Sequence, residues 1–216
     1  ACAQLRCRSA TTTCSCTAVA APKLIGMSPR VLHVSQPGDG GVAAVVAQLA
    51  RDQVERGLEV VVAGSPHAPL KRAAEAAGAR FSGWDAKRSP GPGSMLEARA
   101  LGRLVEAEAP DLVHLHSSKA GLAGRLAFRG RRRTVFQPHS WSFEASRGPM
   151  RRAAKMWERR AVGWTDVIVC VSEAERRDGL DAGIGGRYVV VPNGVDLEAF
   201  PPAGAGERVV ARARLK

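Results

Sequence analysis

Seven short apolar runs rich in Val, Leu and Ile recur along this chain, and patterns of helical spacing separate most of them. Strand-like runs that alternate with helices make βαβ units, whose parallel strands are covered on both faces. The runs are Val31–Val34, Glu59–Ala63, Arg80–Ser82, Asp111–Leu115, Thr134–Gln137, Asp166–Val171 and Tyr188–Val191. Helical patterns fall over Val42–Arg56, stopped by Gly57, and over Leu70–Ala77, Ser94–Glu108, Pro149–Gly163 and Glu173–Asp181. The expected fold class is α/β: a Rossmann-like parallel sheet with helices on both faces.

At 216 residues the chain reads as one domain with appendages. Residues 1–26 form a leader, disordered or untranslated, because Met27 stands directly before the first strand. Cys2, Cys7, Cys14 and Cys16 crowd that leader without a paired CxxC arrangement or a nearby histidine, so a zinc site is not expected there. The body covers 27–200, and 201–216 begins a linker, with Gly206–Lys216 as the first helix of a further domain. No apolar run approaches the length of about 18 residues that suggests a membrane span, so the body is expected in the cytoplasm with reduced thiols.

In such sheets ligands bind beyond the carboxyl ends of the strands, so the residues there are the site candidates. After the first strand, Gly38-Asp39-Gly40-Gly41-Val42-Ala43 fits G-x-G-x-x-A. Glycines there suit either a tight turn or close approach to a phosphate at a helix amino terminus. A nicotinamide cofactor also needs an acid at the end of the second strand, and Val62-Ala63-Gly64-Ser65 has none. After the fourth strand comes His114-Leu115-His116-Ser117-Ser118-Lys119. Period-two geometry puts His114 and His116 on one side of the strand, as packed side chains or as two metal ligands lacking a third nearby. Ser117 or Ser118 suits a helix cap. Lys119 opposes the helix dipole, so it is either solvated or held by an anion. Pro138-His139-Ser140-Trp141-Ser142-Phe143 combines a histidine, hydroxyls and aromatics suited to a sugar or phosphate. Ser172 suits a cap, and Asn193-Gly194 a turn.

The net charge of +12 favours anionic partners, and +9 of it lies outside the leader. Met150–Trp164 places Ala153, Trp157, Ala161 and Trp164 on one face, with Arg151, Arg152, Lys155, Arg159 and Arg160 over the others. That helix either lies on an anionic membrane or packs its tryptophans into the core. Nucleic acid is not expected as a partner, since no recognition motif or interleaving of aromatic and basic residues appears.

Five segments, in order, resemble the amino-terminal domain of the family 4 glycosyltransferases. They are Gly38–Gly41, Asp111–Arg125, Pro138–Phe143, Asp166–Glu173 and Val191–Asp196, spanning most of the body. The resemblance implies one half of a GT-B architecture, two facing Rossmann-like domains. It also implies sugar transfer from a nucleotide diphosphate sugar to a lipid-linked or polysaccharide acceptor, with retention of configuration. No cofactor or metal is implied beyond the nucleotide sugar as co-substrate. By the same match His139 is the active-site histidine, and Gly40 and Gly41 approach the donor diphosphate. His116, Ser117 and Lys119 line the cleft, and Asn193 joins the substrate-binding set. Ser140 departs from a family preference for glycine at that position.

The family grips its donor through a carboxyl-terminal domain, so this chain alone is expected to be a fragment with little or no activity. The expected location is cytoplasmic, peripheral on the inner face of the cell membrane, with the oligomeric state left open. The rival readings are a sugar-nucleotide epimerase fragment and a non-catalytic Rossmann-like module that binds anionic membrane or nucleotide.

Overall fold

A computed structural model describes residues 28–195, 197, 201 and 203–215. The expected leader with its four cysteines, and Asp196, lie outside the described residues. Chain order is β1 (Arg30–Ser35), α1 (Gly40–Glu55), β2 (Glu59–Gly64), α2 (Pro69–Ala76), β3 (Arg80–Gly83) and α3 (Ser94–Glu108). Then come β4 (Leu112–His116), α4 (Ser117–Phe128), β5 (Thr134–Gln137), α5 (Gly148–Ala161) and a 3-10 turn, Val162–Trp164. β6 (Val167–Cys170), α6 (Glu173–Asp181), β7 (Tyr188–Val190) and α7 (Ala205–Arg214) complete the series.

All seven strands are parallel, in the order β3-β2-β1-β4-β5-β6-β7. The strand order reverses between β1 and β4, which makes their carboxyl ends the place for a ligand crevice. Strand β2 shows why the runs are continuous rather than alternating. Val60 and Val62 pack with Ala43 and Val46 of α1 and Leu70 of α2. Val61 and Ala63 point the other way, into a larger core with Leu101 of α3, Ala123 of α4, Phe136 of β5 and Ile168 of β6. Both faces are thus apolar because both are covered. The cover is unequal, however: Val135, Val167 and Val169, on the α1 side of β5 and β6, stay partly exposed.

Two glycines let α4 lie close to the sheet. A Cβ on Gly121 would stand 2.3 Å from the Phe136 ring, and one on Gly124 would stand 2.5 Å from Leu115. The expected stop of α1 is also present: Gly57 takes φ +82° and its N–H donates to the Val54 carbonyl.

Helix α5 differs in part from its expected facing. Ala153 is exposed, and the inward stripe is Ala154, Trp157, Glu158 and Ala161. Trp157 and Trp164 meet edge to face at 6.1 Å, so the tryptophans serve packing. Trp157, Ala161 and Trp164 keep their expected facing, and a buried carboxylate, Glu158, joins them because it has a buried cation to meet. Arg125 of α4 reaches it at 2.8 Å, with both side chains 1% exposed. Helix α7 forms close to its expected place, and each of its described residues is exposed.

Candidate functional site

Four of the chain's five histidines converge where the strand order reverses. Parallel register sets His33 of β1 directly beside His114 of β4, and Ser35 beside His116. All four therefore share one face of the sheet, the face that α1 covers. His114 and His116 lie on the same side as expected, with ring centroids 3.9 Å apart. His33 stands 5.2 Å from each. His139 follows β5 by two residues and closes the row at the carboxyl edge.

Hydrogen bonds thread this cluster in one line. Gln53 of α1 presents Oε1 to His33 Nε2 at 2.9 Å. His33 Nδ1 meets His116 Nε2 at 2.9 Å, and His116 Nδ1 meets His139 Nε2 at 3.1 Å. Burial is the main force on these rings. It lowers His33 and His139 each to about 4, partly opposed at His33 by its bond to Gln53. It also lowers His114 and His116 well below the usual histidine range, with the neighbouring rings adding to the effect. All four are neutral at pH 7.

A depressed histidine pKa has a definite linkage sign. The unfolded chain takes up protons near 6.5, while the fold refuses them until about pH 4. The stability these rings allow is full above 6.5 and is lost as pH falls toward 4. Urea denaturation across that range is expected to show stability falling by at least about 1.4 kcal/mol per pH unit. A flat profile would mean that the cluster is hydrated and titrates normally.

The third histidine that the β4 pair lacked locally comes from β1, 83 residues upstream of His116. His33, His114 and His116 each offer a ring nitrogen, all within 4.8 Å of one another. Among the described residues no carboxylate or thiolate joins that group. A divalent cation there would sit buried with its charge unbalanced, which is costly. In this structure His33 and His116 turn ring nitrogens toward each other in a hydrogen bond.

The other expected site residues fall into three groups. Gly40 and Gly41 open α1 in exposed positions at the carboxyl end of β1, and Gly40 takes φ +67°. A Cβ on either would meet nothing within 4 Å, whereas one on Gly38 would lie 2.1 Å from Ala68. Gly38 thus serves packing, and the two that follow leave open space before the helix. Asp39 at the cap position makes no side-chain hydrogen bond to the helix and the first turn holds no acid, so the amino-terminal N–H groups of this 16-residue helix are not capped by a side chain.

Ser117 sits beside the histidine row at φ +76°, and neither it nor Ser118 caps α4, whose cap position is His116. The Ser172 cap is present, its side chain accepting from Glu175 N. Lys119 is buried, and Glu97 of α3 supplies its anion at 2.5 Å, with Ser94 Oγ at 2.9 Å. Glu97 is desolvated, which alone would raise its pKa; bonds from Lys119 and the Lys87 N–H outweigh this and lower it. Asn193 is exposed beyond β7, at the sheet's edge and two strands past β5, away from the histidines.

The loop that carries His139 is held by parts the sequence reading placed differently. Trp141 and Phe143 are buried and stacked at 5.7 Å, so they anchor the loop and do not face a ligand. Trp141 Nε1 donates to the Glu175 carbonyl at 2.8 Å. The Glu175 carboxylate accepts from Ser140 N at 2.6 Å and Val171 N at 2.7 Å, tying the loop to the end of β6. His139 and Ser140 take φ +52° and +91°. Together with Ser117, three non-glycine residues in this sparsely populated region gather at one edge, a pattern common at functional sites. Ser140 occupies a conformation that glycine adopts more easily, which accounts for the family preference there. Gln53, His33 and Glu175 were not visible as site residues, since each lies far in sequence from what it supports. Cys170 offers no nucleophile: burial pushes its thiol up to about 12.

Comparison with known proteins bears on the fold and the family. Over 113 residues the chain is 34% identical to the UDP-Gal:alpha-D-GlcNAc-diphosphoundecaprenol alpha-1,3-galactosyltransferase of Escherichia coli, covering 48% of this chain and 28% of that enzyme. Among solved structures, Anabaena Alr3699/HepE in complex with UDP and glucose matches with a TM-score of 0.62 and 20% identity, over 87% of this chain and 50% of that one. A glycosyltransferase from Rickettsia africae ESF-5 matches with a TM-score of 0.65 and 16% identity, over 86% and 48%. The chain thus spans about half the length of these two solved structures and 28% of the E. coli enzyme. The model of Glycosyltransferase Family 4 matches residues 39–199, from the glycine loop through the last strand, and the chain belongs to that family.

Proposed function

We propose that this chain is the acceptor-side half of a retaining, metal-independent hexosyltransferase. It moves a sugar from a nucleotide diphosphate sugar to a lipid-linked or polysaccharide acceptor. The carrying observation is the pairing, across the β1/β4 reversal, of an open helix amino terminus at Gly40-Gly41 with the histidine-lined edge that ends in His139. The first suits a diphosphate, and the second a sugar hydroxyl. The UDP and glucose bound in the Anabaena structure, and the diphosphoundecaprenol acceptor named for the E. coli relative, support the chemistry on either side. Lys119 enters as a brace between α3 and α4, Ser117 as a neighbour of the histidine row, and Asn193 as a more distant cleft residue. A second domain completes the donor grip, so this half alone has little or no activity.

Gly41→Asp tests the diphosphate site, because helix stability and ligand binding respond in opposite directions. A carboxylate in the first turn of α1 favours the helix, and the space beside Gly41 is open. In the full-length gene product, KM for the nucleotide sugar is expected to rise about tenfold or more with no loss of thermal stability. An unchanged KM would remove the diphosphate from this end of α1.

Membrane contact belongs to the outer face of α5, where Met156 is 68% exposed one turn from Arg152. No helix among the described residues is long and apolar enough to cross a membrane. We assign the site of action to the inner, cytoplasmic leaflet, reached by peripheral binding. The chain is expected to pellet with anionic vesicles at low salt and to be released as salt rises, and Arg151→Glu with Arg152→Glu abolishes pelleting. Equal pelleting by that variant would place the contact elsewhere.

A further inference from the structure

We infer that Gln53 is a positioning residue that fixes, through His33 and His116, which nitrogen of His139 faces the substrate. The inference rests on the reading of His139 as the sugar contact, and its structural part is testable without that reading.

Each ring in the row is neutral, so each has one N–H and one lone pair. Gln53 Oε1 can only accept, so His33 Nε2 carries the proton that it receives. His33 Nδ1 is then a lone pair, and His116 Nε2 must donate to it. His116 Nδ1 becomes the next acceptor, and His139 Nε2 must donate to that. One amide oxygen on α1 thereby sets three rings in the same sense, all protonated at Nε2. His139 is left with Nδ1 as its available nitrogen, a lone pair that accepts from a sugar hydroxyl.

Burial makes the ordering firm. Reversing one ring would set two N–H groups, or two lone pairs, against each other in a dry interior, and an unmade buried hydrogen bond costs about 1–3 kcal/mol. Low polarity around a chain of bonds also strengthens each through its neighbours. A charge at any member would break the alternation, and burial keeps His33 and His139 uncharged until about pH 4. His114 stands beside the line rather than in it, its ring tilted 32° to that of His116 with centroids 3.9 Å apart.

The experiment uses this chain with 15N-labelled histidine, read by long-range nitrogen–proton NMR. The wild type is expected to show His33, His116 and His139 protonated at Nε2 and bare at Nδ1. Gln53→Glu, an acceptor only, keeps that pattern. Gln53→Lys, a donor only, reverses all three, so that His139 changes although the substitution lies two histidines away. Gln53→Met covers the case in which the lysine variant does not fold, and it gives mixed protonation at His139. A wild-type His139 protonated at Nδ1, or a His139 unmoved in every folded variant, would overturn the inference. So would Zn(II) shifting the nitrogens of His33, His114 and His116 together at one equivalent, since the cluster would then be a metal site.

In the full-length gene product, Gln53→Glu is expected to keep kcat near wild type. Gln53→Lys lowers it about tenfold or more at unchanged KM. If His139→Ala leaves transfer intact while the NMR pattern holds, the functional reading fails and the ordered row stands.

Discussion

Replacing His139 with alanine in the full-length gene product is expected to slow sugar transfer by about 100- to 10,000-fold, the range for losing a positioned acid–base or hydrogen-bonding group. The loss should fall on kcat more than on KM, because the proposed function puts the donor diphosphate at Gly40-Gly41 and on a second domain. Folding should weaken modestly: the hydrogen bond to His116 is lost, and leaving that buried ring nitrogen unpaired costs about 1–3 kcal/mol. The pH dependence carries further information. Because burial lowers His139 to about 4, the ring is a neutral acceptor throughout the ordinary range. Wild-type activity should therefore not decline through the usual histidine range as acid is added, down to the pH where the fold itself weakens. Wild-type transfer that halves near pH 6.5 with the fold intact would mean that His139 is solvated or is not the responsible group.

Truncating Glu158 to alanine should produce the largest loss of stability. It leaves Arg125, 1% exposed, without its carboxylate. Breaking a buried pair in this way costs about 3–5 kcal/mol, a large share of a domain's total of about 5–15 kcal/mol. Thermal melting should drop by about 10 °C. Arg125 is otherwise sealed in: its Nε donates to the Gly121 carbonyl at 2.8 Å, and its guanidinium lies 4.0 Å over the Phe136 ring. Water cannot easily replace the lost partner. The double replacement Arg125→Met with Glu158→Leu should recover most of the loss, since apolar groups of similar volume need no partner. The loop of His139 should loosen in the single variant but not through a lost charge alone, because Ser142 Oγ also donates to Glu158 at 3.1 Å. Melting temperatures of both variants decide this. A single variant as stable as wild type would show the pair to be open to solvent.

The fold was largely legible because βαβ architecture writes itself in local patterns. Continuous apolar runs mark doubly covered strands, and α3, β5 and α6 have the expected bounds. The site was legible only where it follows that architecture. His116, His139, Gly40 and Gly41 stand at strand ends, and topology brings those ends together. What stayed hidden depends on register and on pairing across long separations. His33 looked like one more residue inside a strand until register set it beside His114. Gln53 looked like an ordinary polar position on α1. The partners of the basic residues were hidden in the same way: Lys119 is held by an anion, one of the two readings its position allowed, but that anion is Glu97 of α3, and Arg125 closes on Glu158. No local rule distinguishes these cases, because the partner lies 22 or more residues away in another helix. The aromatics beside His139 failed for the same reason, since only the folded chain shows Trp141 and Phe143 turned inward.

Transfer itself is the measurement to make: incubate the full-length gene product with labelled nucleotide diphosphate hexoses and membranes bearing diphosphate-linked lipid acceptors, without added metal. Label should move into the lipid or polymer fraction from one donor, with retained anomeric configuration and loss of signal in His139→Ala. Conversion of the nucleotide sugar to its epimer, or binding with no label transferred from any donor, would contradict the assignment.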